Sequence, residues 1–173
     1  MRAVGLLWMR IVAGGLLAVH GYAKLFGGEE KGVHPLARRY LGPGFEQAVQ
    51  RGGVRGFSQS LTGLGVPVPG PMAALVGLTE FVGGLLVVTG TLTRLAAAAL
   101  SINLVVAIKL AHWKHGIVGQ GGYAYGLSLL GTFVGLLLAG PGALSVDGEP
   151  ERWLPVLRRR AASVDEQHIC RRG

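Results

Sequence analysis

The chain is poor in cysteine, in charge and in carboxylates. A single cysteine, Cys170, stands near the end of the 173 residues. A lone thiol forms no internal disulfide and builds no cysteine-rich metal or iron–sulfur centre. Charged residues make up 15% of the chain, and Asp plus Glu number 9 against 17 Lys plus Arg. With few carboxylates and no His-x-x-x-His pair, no metal box is encoded. Aromatic residues are 7% of the total, and they do not interleave with a basic face, so the net charge of +8 does not signal nucleic-acid binding. Nucleotide-binding signatures and an ordered Ser-His-Asp set are absent as well.

What the chain does contain is long uncharged stretches. Residues 95–108 and 121–141 carry no charge, and residues 72–93 carry one, Glu80. A hydrocarbon core of ~30 Å needs about 20 apolar residues of helix at ~1.5 Å each. Four spans are therefore expected, at about 4–26, 71–92, 94–112 and 122–141. The expected fold is all-α, a four-helix antiparallel bundle integral to the membrane. It forms a domain over residues 1–147, followed by a polar, basic tail at 148–173. The first apolar run imitates a secretory signal, but Arg10 interrupts it and no small-x-small cleavage site follows, so it reads as a retained helix.

A long polar linker, 27–70, joins the first two spans. It opens on Gly27-Gly28-Glu29-Glu30 and closes on Val66-Pro67-Val68-Pro69-Gly70-Pro71, both loop-forming compositions. Within it Val54, Phe57, Leu61 and Leu64 recur at helical spacing beside Arg51, Arg55 and Gln59. This predicts one short amphipathic helix, lying on the membrane surface or packed on the bundle. The second and third spans are joined by a tight turn around Gly90, which makes them antiparallel neighbours. Gly131 and Gly135 form a small-x-x-x-small pair on the fourth span, read as a helix-packing face.

Four spans put both termini on one side. Arg2, Arg94 and the arginines of the tail fall there, which favours cytoplasmic termini in the plasma membrane. Alternating helix direction then gathers the remaining polar residues toward the outer half. His20 and Lys24 sit high on the first span, Lys109 and His112 on the third, Tyr123 and Tyr125 at the start of the fourth. Glu80 lies near the middle of the second span, where a carboxylate is costly unless paired or protonated. Arg10 and His20 are its candidate partners; an ion pair that locks two helices is the structural reading, and proton handling is the functional one. His20 and Lys24, at i and i+4, share one helical face, and Lys24 alone is explained by snorkelling to the interface. Asn103 reads as an interhelical hydrogen-bonding group, and Trp113 with the tyrosines as an aromatic belt. The candidate catalytic set is Glu80, His20 and Lys24. The candidate ligand-binding set is Arg10, Lys109, His112, Tyr123 and Tyr125. Two histidines, His20 and His112, are too thin a signal for haem.

Met9-Arg10-Ile11 followed by His20-Gly21-Tyr22-Ala23-Lys24-Leu25-Phe26 resembles the DoxX family. So do Leu64-Gly65-Val66-Pro67, Thr79-Glu80-Phe81-Val82-Gly83-Gly84, Thr93-Arg94-Leu95-Ala96-Ala97 and the closing Gly140-Pro141-Gly142-Ala143-Leu144-Ser145-Val146-Asp147. The order and spacing of these stretches carry the resemblance across roughly residues 4–147. It implies a four-helix integral membrane protein. Some family members are subunits of thiosulfate:quinone oxidoreductases, and others are proposed to partner redox enzymes at the bacterial membrane. Ala124 stands where relatives often carry an acidic residue between aromatics, so a proton route through that position is lacking here. The first linker is also longer than is usual in the family.

Three functional classes follow as expectations. One is a membrane subunit or partner of a quinone-linked oxidoreductase, with quinone as its diffusing cofactor and a thiosulfate or thiol as electron source. The second is a non-catalytic scaffold or assembly factor that holds a protein partner. The third is a small-solute transporter formed by a homo-oligomer.

Overall fold

The computed structural model describes residues 2–119 and 121–148. All regular structure among them is helical. Helix α1 runs Arg2–Phe26. The linker holds α2 (Pro35–Leu41), α3 (Pro43–Gln50) and α4 (Gly53–Gly63). The remaining helices are α5 (Pro69–Thr89), α6 (Thr93–His115) and α7 (Ala124–Ala139). The polar tail expected from residue 148 onward lies almost wholly outside the described residues.

Local sequence explains most boundaries. Proline opens α2, α3 and α5, where its missing N–H is no loss and its fixed φ suits a first helical turn. His34 adds a side-chain cap to α2 by accepting from the Leu36 N–H at 3.3 Å. Gly90 ends α5 at φ 77°, a left-handed conformation that glycine adopts without a Cβ penalty. Leu92, two residues on, is also left-handed at φ 48°, a rare state for a bulky residue. The linker thus holds three short helices where the apolar spacing predicts one. Gly42 and Gly52 break its remaining segments, which lack a long enough apolar period to be read as helices.

Helices α1, α5 and α6 are each long and apolar enough to cross a bilayer. Helix α7 is apolar but has 16 residues, about 24 Å at 1.5 Å per residue, short of a ~30 Å hydrocarbon core. Helices α1 and α5, and α6 and α7, run in opposite directions where they touch. Residue 126 of α7 faces residue 108 of α6, while Gly140, at the other end, lies beside Arg94. Ring contact between His20 and Tyr125, centroids 5.9 Å apart, joins α7 back to α1. The common core is Ala13, Leu17, Val87, Ala97, Leu100, Leu104, Leu129, Phe133 and Leu136, all buried.

The tightest seam is between α1 and α5. A Cβ on Gly21 would lie 2.8 Å from both the Gly77 oxygen and the Phe81 Cα. One on Gly84 would lie 2.7 Å from the Ala18 nitrogen. These glycines let two backbones touch, the geometry that small residues provide in membrane bundles. The predicted packing pair behaves otherwise. Nothing lies within 4 Å of a Cβ placed on Gly131, and only the Met9 side chain, at 4.0 Å, approaches Gly135. The pair points away from the bundle because Phe133 and Leu136 occupy the buried face of α7.

At the end holding Gly90, residues 141–148 fold back over the α5–α6 turn. Arg10, 1% exposed, donates to the carbonyls of Pro141, at 2.8 Å, and Leu144. Asp147 accepts from the Thr93 N–H at 3.1 Å, capping the start of α6, while its own N–H donates to the Gly90 oxygen at 3.0 Å. Arg10 is therefore a strap for the end of the chain. It is not the partner of Glu80, because residue 10 lies one end of the bundle away from residue 80's neighbours on α1.

Two outcomes test this packing. Gly21→Leu should destabilise the detergent-solubilised protein by about 1–3 kcal/mol or more through overpacking, whereas Gly131→Leu should leave the thermal midpoint unchanged. Arg10→Gln should raise hydrogen exchange at residues 141–148 selectively, read by mass spectrometry, with protection of α5 near Glu80 kept.

Candidate functional site

At the opposite end the bundle opens into a cavity of about 390 Å³. Its polar wall comes from four helices: His20 and Lys24 on α1, Glu80 on α5, Asn103 and His112 on α6, and Tyr125 on α7. The rest is apolar, including Leu17, Leu104, Ile108 and Leu129. Phe57, Leu61 and Leu64 reach over it from α4 and the turn after it. The apolar spacing that predicts this amphipathic helix is thus the cavity's roof.

The centre is the ion pair Lys24–Glu80. Lys24 Nζ lies 2.6 Å from Glu80 Oε1, with the lysine side chain 24% exposed and the glutamate 7%. Asn103 Nδ2 donates to the same oxygen at 3.2 Å. Glu80 Oε2 is buried with no hydrogen-bond partner among the described residues. The ammonium also sits 4.7 Å from the centre of the Phe57 ring, a cation–π distance. Gly77, one turn before Glu80, lets α1 pack close to α5 here: a Cβ there would lie 2.9 Å from the Leu25 Cδ2, while Lys24 Cβ, at 3.4 Å, would be in ordinary contact.

The remaining candidates divide. His20 Nδ1 pairs with the Leu16 carbonyl at 2.9 Å, and its ring faces Tyr125. His112 Nδ1 pairs with the Gly121 oxygen at 2.7 Å, which ties the end of α6 to the loop before α7. Residues 108–112 of α6 form a π-helical turn, which offsets the ring's position on the helix face. Lys109 is exposed and outside the cavity wall, since the π turn directs Ile108 and His112 inward instead. Tyr123 is outside it too, stacked on Trp113 with centroids 5.4 Å apart. Arg10 belongs to the strap at the far end. Lys24, for which snorkelling sufficed, and Asn103, read as an interhelical group, converge on one carboxylate oxygen. Asn103 and Phe57 stand outside both candidate sets; the place of Phe57 in the apolar period of α4 was its only signal.

A second opening lies beside the cavity. Trp8, Met9, Val12 and Leu16 of α1 and Tyr125, Ser128 and Thr132 of α7 line a crevice of about 290 Å³. Tyr125 and Leu129 border both spaces. The α1–α7 seam is therefore open laterally at the depth of the cavity.

Apolar helices of bilayer length around a polar, ion-paired interior define an integral membrane protein. The DoxX family model matches residues 5–113, and the chain belongs to that family. It is also 38% identical over 95 residues to Rv3486, an uncharacterized membrane protein of Mycobacterium tuberculosis. That match covers 49% of this chain and 58% of the relative, so the chain spans little over half the relative's length. No solved structure matches the chain.

The ion pair has a direct test. Lys24→Met should cost about 3–5 kcal/mol in detergent unfolding, because it leaves a buried carboxylate without its cation. The double variant Lys24→Met/Glu80→Leu should recover most of that loss. A single lysine variant as stable as the parent would show that the pair does not hold α1 to α5.

Proposed function

We propose that this DoxX-family chain is the membrane subunit of a quinone-linked oxidoreductase and that the cavity around Glu80 receives the quinone ring. In this reading all four apolar helices span the plasma membrane as an antiparallel bundle, α7 with help from its flanking residues. Both termini lie in the cytoplasm, on the side of Arg2 and Arg94. The observation that carries the reading is a largely apolar cavity, bordered by an open lateral crevice, that buries a carboxylate with one unpartnered oxygen. Intramembrane charge of this kind marks functional sites in membrane proteins.

The chemistry asks for hydrogen-bond donors at two quinone oxygens and for proton exchange. Quinone takes up two electrons and two protons to become quinol. Two thiols supply the electrons on forming a disulfide and release two protons; two thiosulfates supply them on forming tetrathionate, with the protons drawn from water. Lys24 and Tyr125 have the N–H and O–H to meet the quinone oxygens. Glu80 accepts and returns protons, and His20, at the cavity edge beside Tyr125, relays them outward. The isoprenoid tail lies in the α1–α7 crevice. Electrons pass directly between substrate and quinone, or through a partner subunit.

The test is quinone reduction by purified protein in liposomes, with thiol or thiosulfate as donor. Glu80→Gln should lower the rate by about 10²-fold or more, the scale of a lost proton-transfer group, and Tyr125→Phe should raise KM for quinone. Circular dichroism and gel filtration must show both variants folded. Wild-type kinetics in both would remove quinone chemistry from this cavity and leave the scaffold role.

A further inference from the structure

A separate chamber of about 440 Å³ lies on the other side of α1, enclosed by α3 and α4 of the linker. His20, Lys24 and Phe57 form the wall between it and the cavity around Glu80. Its long side is one stripe of α1, at Leu16, Val19 and Ala23. Those positions recur every three to four residues, so they share a helical face. From Leu16 to Ala23 is about 10 Å of helix at 1.5 Å per residue.

The two ends of the chamber differ in chemistry. At the Ala23 end lie Arg51, Gly52 and Ser60. The α3–α4 turn is fastened there by Gly28 donating to the Val49 oxygen at 2.8 Å. Arg51 and Ser60 also border a broad polar basin on the surface of the linker. The Arg51 guanidinium makes no hydrogen bond or ion pair among the described residues, whereas Arg38 pairs with Glu46 at 3.1 Å. At the other end Leu16 is shared with the α1–α7 crevice that faces the bilayer. An unpaired cation at the surface, an apolar channel below it and a lipid-facing exit at the bottom match an amphiphile with an anionic head.

We infer that this chamber binds an anionic phospholipid, its phosphate at Arg51 and an acyl chain along Leu16, Val19 and Ala23. The lipid fills the space between α1 and the linker helices and so seats α4, the roof of the inner cavity, on the bundle. Lipid binding here needs no reaction, so the site does not depend on the quinone reading, although His20 and Lys24 border both spaces. A soluble phosphate meets the same guanidinium, but it leaves the apolar stripe of α1 uncovered.

Native mass spectrometry of delipidated protein, titrated with dioleoyl phosphatidylglycerol or dioleoyl phosphatidylcholine, tests the inference. One phosphatidylglycerol should bind in preference to phosphatidylcholine. Arg51→Gln should weaken phosphatidylglycerol about fivefold, the equivalent of ~1 kcal/mol for one basic residue at a membrane surface, with Arg51→Lys restoring most of it. Ala48→Trp, which fills the chamber from an exposed position on α3, should abolish binding of either lipid. Helical circular dichroism establishes that each variant is folded. Equal binding of the two lipids, an equal loss in Arg55→Gln, or unchanged binding in Ala48→Trp would overturn the site. Displacement of the lipid by millimolar inorganic phosphate alone would assign Arg51 to a soluble anion instead.

Discussion

The open end of the molecule is organised by one interaction, the ion pair between Lys24 and Glu80. Either charge alone is costly at this depth. Together, with Asn103 on the same oxygen, they fasten α1, α5 and α6 around a space that apolar packing would otherwise close. The pair does not satisfy the whole carboxylate, because Oε2 stays buried without a partner. Buried ion pairs of this sort are weak contributors to net stability against an apolar alternative. What the pair does set is geometry: it holds three helices around the cavity and leaves one carboxylate oxygen facing it.

The two ends of the bundle are built on different principles. At the Gly90 end, polar groups turn onto the protein itself: Arg10 donates to two backbone carbonyls, with its Nε left without a partner among the described residues, and Asp147 caps the start of α6. At the other end, polar groups line open space. Close glycine contact between α1 and α5 connects the ends into one rigid seam, with Gly14 and Gly84 near the strap and Gly21 and Gly77 near the cavity. The α1–α7 seam has no comparable contact and stays open. That asymmetry gives the cavity a fixed wall and a lateral door.

Much of this was legible in the residues. The long apolar runs locate α1, α5 and α6 to within a few positions, because a bilayer-length period is a strong signal. Helix direction alone gathers His20, Lys24, His112 and Tyr125 at one end. Depth was readable, but angle around the helix axis was less so. That is why Gly131 and Gly135 looked like a packing face, whereas Arg10 is ruled out as a partner for Glu80 by depth, since it sits at the strap end. Two further features were out of reach. The π-helical turn at 108–112 shifts side chains by an offset that no 3.6-residue period anticipates. Of the short helices, α3 packs on the end of α1 and α2 packs on α3, while their own composition reads as loop.

The strap at Arg10 has a consequence for how the chain is made. The acceptors of Arg10, at Pro141 and Leu144, lie 131 and 134 residues further along the chain. During synthesis the first helix therefore carries an uncompensated guanidinium past a lipid interface while more than a hundred residues are still to be translated. The strap at this end closes only once residues 141–144 have been made. Until the last segment arrives, the nascent protein depends on the insertion machinery, or on water held at the bilayer edge, to shelter that charge.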